Sequence, residues 1–446
     1  MDGKNSTNEY ENKVTASKHL ERVAVIEGLR TPFVKAFGVF ETESALSLSV
    51  RVVTELVTRT GIQANEIDEC IWGVVVPQVK NANLAREIIL FAGLPHNIPG
   101  FTLNKACDSS LQTIEIAANK IQLGKNQLIL AGGVEVLSDV PLPFSEDARI
   151  FFTKLSKAKT FGQKLNLLKT FSPKWLLPKA PSITEPFTGM TMGDHSEVMA
   201  VKNNISRKRQ DELAFISHKN ASYAWSKGYF KDEVIPVWSG KDKSVFVEKD
   251  NIVRSDTTIE ALSQLKPVFD RKNGTQTAGN SSSLTDGASG VILASESYAK
   301  KNNLNIMGFI LDSYTCAVNP NDQLLIGPAY VIPKLCQRNN LKLEDIDIFE
   351  IHEAFASQVL SCVDALNNET FCREKLKLNG VFGKIPMEKL NIQGGSLAIG
   401  HPFGATGARL VANALRIGKR LQKKYAIVTA CAAGGIGMGI LLETNL

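Results

Sequence analysis

Short apolar runs alternate with stretches whose apolar residues recur every three or four positions, and this happens twice along the chain. Val23 to Ile26, entered at Arg22, reads as a buried strand that closes in the loop Arg30-Thr31-Pro32. Leu46, Val50, Val53 and Val57 recur at helical spacing and stop at Gly61, which suits a helix C-cap. Ile67 to Pro77 reads as a second strand, and Phe101-Thr102-Leu103 as a third that leads into Asn104-Lys105-Ala106-Cys107-Asp108-Ser109-Ser110. Leu111, Ile114, Ala118 and Ile121 predict a helix ending at Gly124, and Gln127 to Ala131 a strand running into Gly132-Gly133. The order then returns: a strand over Ile306 to Leu311, a helix marked by Val331 and Leu335, and a Leu341–Phe349 segment that parallels Ile62–Cys70. His401 precedes a long helix as Cys107 does, and Tyr425 to Ala433 runs into glycines as Gln127 to Gly133 does.

This alternation predicts an α/β chain of βαβ units with mainly parallel sheets. The repeat predicts two duplicated halves, each with its own sheet: residues 22–140 with 266–300, and residues 301–446. The helices after Cys107 and His401 are apolar over most of their surface, as helices buried between two sheets would be.

Residues 141–265 read differently, as an inserted loop domain. From Arg149 to Lys179 there are seven lysines and no acidic residue, while Phe151, Leu155, Ala158, Leu165 and Leu168 fall on one helical face. Pro173, Pro178, Pro181 and Pro186 then break the helix. Two readings stand: a solvated helix packing its apolar side on the body, or a basic amphipathic surface for a membrane or a partner subunit.

Composition narrows the chemistry. A net charge of +6, concentrated in one segment, gives no reason to expect nucleic acid. The seven cysteines are scattered without Cys-x-x-Cys spacing, which argues for a reducing compartment and against a disulfide framework or a zinc site. No apolar run is long enough to span a bilayer. Residues 1–21 are polar, lack the apolar core of a signal peptide, and read as a disordered arm.

Four residues carry candidate catalysis. Cys107 follows a strand and opens a helix, where the macrodipole and free N–H groups favour a thiolate. His401 lies in Gly400-His401-Pro402 and His352 in His352-Glu353-Ala354-Phe355; either is a candidate base. Cys431, ahead of Gly434-Gly435, is a second thiol suited to moving protons. Glycines in these turns allow close approach to main-chain N–H groups.

From about Arg22 onward these motifs resemble the thiolases, whose fold is a five-layered αβαβα arrangement of two duplicated halves with an inserted loop domain. His352, where most thiolases have Asn, together with Gly394-Gly395-Ser396-Leu397 and Gly404-Ala405-Thr406-Gly407, resembles the β-subunit of the trifunctional fatty-acid oxidation complex. The resemblance implies that His401 helps deprotonate Cys107, which attacks a 3-ketoacyl-CoA, and that Cys431 protonates the departing enolate and later activates CoA. It implies oxyanion stabilisation by His352 and His401, and by the backbone N–H groups of Cys107 and Ala433; losing one such donor typically costs about 2.7–4 kcal/mol of barrier. Met192, Ser282 and Phe355 match positions lining the CoA and substrate pocket.

No metal or cofactor is implied, CoA being a substrate. A homodimer or homotetramer is expected, with an enoyl-CoA hydratase/3-hydroxyacyl-CoA dehydrogenase α-subunit as candidate partner, peripheral membrane contact as another, and a cytoplasmic or mitochondrial-matrix location. Two departures stand out. Asp108 beside the nucleophile should raise its pKa while favouring the helix dipole, and Ala433 replaces a common Gly at a position where positive φ would be strained. Competing readings are a condensing acetyl-CoA acetyltransferase, a decarboxylating ketoacyl synthase, against which Cys431 argues, and a non-catalytic lipid-binding protein on the same fold.

Overall fold

The structure, a computed structural model, describes residues 20–177 and 184–445. The expected arm lies almost wholly outside the described residues, as do Pro178, Lys179 and Pro181.

Nine strands form one hydrogen-bonded path: β1 (Val23–Arg30), β2 (Glu69–Val74), β3 (Gly100–Leu103), β4 (Leu128–Glu135), β5 (Thr285–Ser295), β6 (Gly308–Ala317), β7 (Ile348–Ile351), β8 (Tyr425–Ala432) and β9 (Ile436–Thr444). The path runs β7-β8-β9-β6-β1-β5-β4-β2-β3. Within it the order β6-β9-β8-β7 repeats β1-β5-β4-β2, so the duplication read from the sequence is a duplication of topology.

Two expectations are corrected. The halves do not have separate sheets: β1 and β6 join them through three antiparallel pairs, Val23 to Val25 against Ile310 to Gly308. Nor is pairing mainly parallel. Only β7–β8, β2–β3 and β2–β4 are parallel, while β5 enters antiparallel between β1 and β4. The physical cause is visible at β8–β9, where Ala433-Gly434-Gly435 is too short for a crossover, and Gly434 and Gly435 take positive φ of 83° and 73° to turn a hairpin.

Burial defines five layers. On one outside, α1 (Ala45–Thr60) and α2 (Leu84–Phe91) cover Trp72, Leu130 and Ile292. The helix α1 starts on a Ser44–Ser47 capping box and ends at Gly61 with φ 65°. Its buried face is Ala45, Leu48, Ser49, Val52, Val53 and Leu56, about a third of a turn from the face expected, because Ser49 turns inward to accept a hydrogen bond from Trp72 Nε1. In the middle lie α3 (Ser109–Gln122) and α10 (Thr406–Leu421), packed against Ile71, Ile129 and Val291 of one half and Ile348, Val428 and Ile440 of the other. On the far outside α8 (Gly327–Arg338) and α9 (Ala356–Leu366) cover Phe349, Ile351 and Ile427.

The inserted region holds α4 (Glu146–Lys157), α5 (Phe161–Leu168), α6 (Met192–Lys202) and α7 (Arg207–Ser226). The single lysine-rich helix expected is two helices, since Thr160 caps a new one with its own capping box to Gln163. Phe151 is buried against Phe152, Phe171 and Trp175, yet α5 buries no residue at all.

The crossing of α3 and α10 is tight. A Cβ on Gly407 would stand 2.6 Å from Leu111 Cγ and 2.7 Å from its backbone nitrogen. Gly407→Ala is therefore expected to cost roughly 1–3 kcal/mol through overpacking, read as a lowered denaturant midpoint; wild-type stability would show that the helices can part freely.

Candidate active site

Cys107 sits on a strained elbow between β3 and α3. Ala106 is forced to a positive φ of 47°, held by its N–H donating to Asn104 Oδ1 at 2.9 Å. The strain anticipated at Ala433 thus falls at Ala106 instead; among the described residues Ala433 has no positive φ, which its neighbouring glycines take up. Cys107 does not itself start the helix: Asp108 is the N-cap and Ser109 the first helical residue.

His401 is delivered by the turn before α10. Its N–H donates to Thr285 Oγ1 at 2.6 Å, and Gly400, at φ 105°, lets the turn lie against Thr285. Glu135 ties the same turn to the other half, accepting from Val75 N–H, Val76 N–H and Gly404 N–H at 3.1, 3.0 and 3.2 Å. Burial raises this carboxyl to about 7 against the pull of those three donors. His352 continues β7 by one residue, its N–H donating to the Thr429 carbonyl at 2.9 Å.

Side chains from three elements so converge. His401 Nε2 lies 3.1 Å from Cys107 Sγ, the two imidazole rings stand 3.9 Å apart, and the ligand atoms of Cys107, His352 and His401 all lie within 4.8 Å of one another. Cys431 is buried on β8 and faces the same centre: burial pushes its thiol well up, and Cys107 is the next largest cause.

Electrostatics here run against the sequence expectation of a stabilised thiolate. Burial of the sulfur, then Asp108, then Glu135, push the Cys107 thiol up to about 12. Burial and then the Arg409 charge pull His401 down to about 3. Both directions favour a thiol beside a neutral imidazole over a thiolate–imidazolium pair. Asp108 contributes in one direction only. It makes no side-chain cap bond, both its oxygens are buried without a hydrogen-bond partner, and burial holds its carboxyl well above the usual range while Lys105 opposes.

The remaining expected residues surround this centre. Ser282 N–H donates to the Ala354 carbonyl, and its neighbour Ser281 bridges to Phe355, with the Ser281 hydroxyl buried and unpartnered. Phe355 stacks edge-on with Phe269 at 5.9 Å, in the apolar cluster that also takes Met192. In the turn after Cys431, Gly434 N–H is already taken by Glu185 at 2.8 Å, so that amide is not available to an oxyanion, whereas Ala433 precedes it. Ser281, Glu185, Ser396, Thr406, Arg409 and Glu135 were not singled out from the sequence. Ser396 and Thr406 stood inside motifs already noted, whereas Glu185 and Glu135 carried no local signal because their partners lie far along the chain.

Family models described as "Thiolase, N-terminal domain" and "Thiolase, C-terminal domain" match residues 23–297 and 304–444. A probable 3-ketoacyl-CoA thiolase of Caenorhabditis elegans is 42% identical over 428 residues, 96% of this chain and 95% of the relative. The 3-ketoacyl-CoA thiolase of Pseudoalteromonas translucida is 41% identical over 424 residues, 95% of this chain and 97% of its own. Among solved structures, human mitochondrial 3-ketoacyl-CoA thiolase superposes with a TM-score of 0.81 at 29% identity, covering 96% of this chain and 100% of that one. Acetyl-CoA acetyltransferase of Bacillus anthracis gives 0.82 at 32% identity, with the same coverage.

Alkylation of Cys107 by iodoacetamide should rise steadily through the alkaline range with no plateau near neutrality; a plateau below about pH 7 would mean a thiolate–imidazolium pair. Asp108→Asn removes a negative neighbour and should move that profile to lower pH. An unchanged profile would show that the carboxyl does not act on the thiol.

Proposed function

The chain belongs to the thiolase family, and on that premise we propose that it is a 3-ketoacyl-CoA thiolase, cleaving 3-ketoacyl-CoA with CoA to acetyl-CoA and a shortened acyl-CoA in fatty-acid β-oxidation. The observation that carries the chemistry is the 3.1 Å contact between His401 Nε2 and Cys107 Sγ, beside a second imidazole and a second thiol.

Burial favours the neutral pair over the ion pair, so proton transfer accompanies attack. Cys107 Sγ gives its proton to His401 Nε2 as it bonds the 3-keto carbon. The tetrahedral oxyanion is held by the backbone N–H groups of Cys107 and Ala433. Its collapse breaks the C2–C3 bond, and the electron pair becomes the enolate of acetyl-CoA, whose oxygen lies toward His352 and His401. Cys431 donates its proton to C2. CoA then gives its thiol proton to the Cys431 thiolate, attacks the acyl carbon, and Cys107 leaves, recovering its proton from His401. The reaction balances with CoA as substrate and no cofactor. Met192, Ser282 and Phe355 serve the CoA and acyl pocket. A condensing acetyl-CoA acetyltransferase would use the same groups, and the fold likeness to one does not separate the two; the sequence relatives favour cleavage.

The hairpin of α4 and α5 suits a hydratase–dehydrogenase α-subunit that supplies the substrate. Phe161 is 81% exposed, and Leu165 and Leu168 about half, around a groove of about 590 Å³ lined also by Phe152 and Leu155. The lysines around it are exposed, which favours an acidic partner. No helix among the described residues is long and apolar enough to cross a membrane, so an anionic lipid surface would be met only peripherally. The edge of β3, unpaired on its outer side among the described residues, supports self-association as a homodimer or homotetramer.

Trapping with acyl-CoA should place the thioester on Cys107, with mass spectrometry as the readout; an adduct on Cys431 would reverse the assignment. Cys431→Ser should keep that acylation and slow exchange of the acetyl-CoA α-proton, since a hydroxyl is a far weaker acid. Replacing Lys157, Lys164 and Lys169 with Glu should weaken α-subunit binding while thiolysis of a short ketoacyl-CoA continues. Salt should weaken it too, exposed charges being screened over about 8 Å at physiological ionic strength. Loss of vesicle binding alone would point to lipid instead, and no change in either to a closed lid.

A further inference from the structure

The two active-site histidines touch hydroxyls that face opposite ways, and a count of hydrogens assigns their tautomers. A hydroxyl has one proton to give and two lone pairs to receive with. Thr406 Oγ1 donates its proton to the Pro402 carbonyl at 3.1 Å. Toward His401 Nδ1, 2.7 Å away, it can therefore only accept. The His401 proton is then on Nδ1, and Nε2 presents a bare lone pair to the Cys107 thiol.

Ser396 is wired in the reverse sense. Its Oγ receives a hydrogen bond from Arg409 Nη2 at 3.0 Å. Among the described residues the other partner of that oxygen is His352 Nδ1, at 2.9 Å. An arginine has no acceptor, and so the serine proton has His352 Nδ1 as its destination. The His352 proton is thereby on Nε2. That atom is buried and, among the described residues, has no hydrogen-bond partner, an unfavourable state that an arriving acceptor would relieve. The His352 ring stands 3.9 Å from that of His401, and one of its nitrogens lies within 4.8 Å of Cys107 Sγ.

We propose that Arg409, acting through Ser396, locks His352 as the neutral Nε2–H tautomer, so that the two adjacent imidazoles present opposite polarity to the substrate: His401 a lone pair, His352 a proton. Arg409 and Ser396 are positioning residues, and the chemical class they select at His352 Nε2 is an anionic oxygen, the thioester enolate. The assignment deepens the thiolase reading, on which the identity of that oxygen rests. The wiring also explains why an arginine is buried here. A hydroxyl or amide in its place could reverse its donor direction, whereas a guanidinium cannot. Arg409 is fully buried, its Nη1 stands 3.5 Å from the equally buried Glu350, and Ser396 is fully buried as well, so solvent cannot scramble the pattern. Separately, burial, then His401 and then Arg409 hold His352 well below the ordinary imidazole range, so the ring stays neutral and a tautomer is well defined. One consequence concerns metals: with its proton on Nε2, His352 has no lone pair to share with Cys107 and His401 around a cation.

The test is long-range proton–nitrogen NMR on protein labelled with ¹⁵N-histidine, using His352→Asn to assign one of the six rings. The expected result is a proton on Nε2 of His352 and on Nδ1 of His401. A proton on Nδ1 of His352 overturns the proposal without touching the thiolase reading. Ser396→Ala should slow α-proton exchange of acetyl-CoA roughly 10- to 100-fold, the scale seen when a histidine's outer partner is lost. Acylation of Cys107 should stay within about twofold, because its oxyanion is served by backbone N–H groups. Ser396→Thr should restore exchange. Unchanged exchange in Ser396→Ala, or equal loss of acylation, would leave Ser396 a merely structural residue and overturn the proposal. If His352→Asn itself leaves exchange intact, the enolate role falls while the tautomer assignment stands.

Discussion

Everything reactive in this protein hangs from the crossing of two helices sealed between sheets. α3 and α10 meet where Gly407 has no side chain and Ala408 N–H donates to Ser110 Oγ at 3.0 Å. Each helix belongs to a different half, and each is preceded by a tight turn carrying one reactive side chain. Because the two N-terminal ends approach the same point, a cysteine and a histidine 294 residues apart come into contact. Apolar packing on both sides supplies the driving force: Leu111, Ile114, Leu410 and Val411 are wholly buried, and each such side chain is worth about 1.5–3 kcal/mol of burial.

The same burial sets the chemistry. A site sunk between sheets disfavours charge, which is why the Cys107 thiol is driven up and the His401 imidazole down. Burial therefore favours the neutral pair over thiolate and imidazolium, so the nucleophile is best made as a substrate arrives to accept the electrons. What the site can hold ready is a pattern of hydrogen-bond donors and acceptors, since these need no net charge. That pattern comes from groups bonded across long stretches of chain, Glu135 to Gly404 and Glu185 to Gly434, and from the closer pair Arg409 and Ser396.

The inserted region works in two directions. Inward, Glu185 and Met192 complete the surroundings of the centre. Outward, α4 and α5 hold a small aromatic cluster and leave the apolar side of α5 in the open among lysines. An apolar face that finds no partner among the described residues marks an interaction surface more readily than an isolated exposed side chain does.

Much was legible in the order of residues alone. Helix ends at Gly61 and Gly124, the internal repeat, and the glycine-rich turns that carry His401 and Cys431 are local facts, because backbone freedom and apolar spacing are properties of neighbours in sequence. Strand direction was not legible at β5, which re-enters after a long insertion, and the buried face of α1 depended on a tryptophan from another element drawing Ser49 inward. The strained residue proved to be Ala106 and not Ala433, since backbone strain is set by what holds an elbow in place. Protonation was the least visible of all. A sequence names a histidine and a serine, but which nitrogen carries the proton depends on a third group, and for His352 that group is Arg409, brought to Ser396 only by the fold.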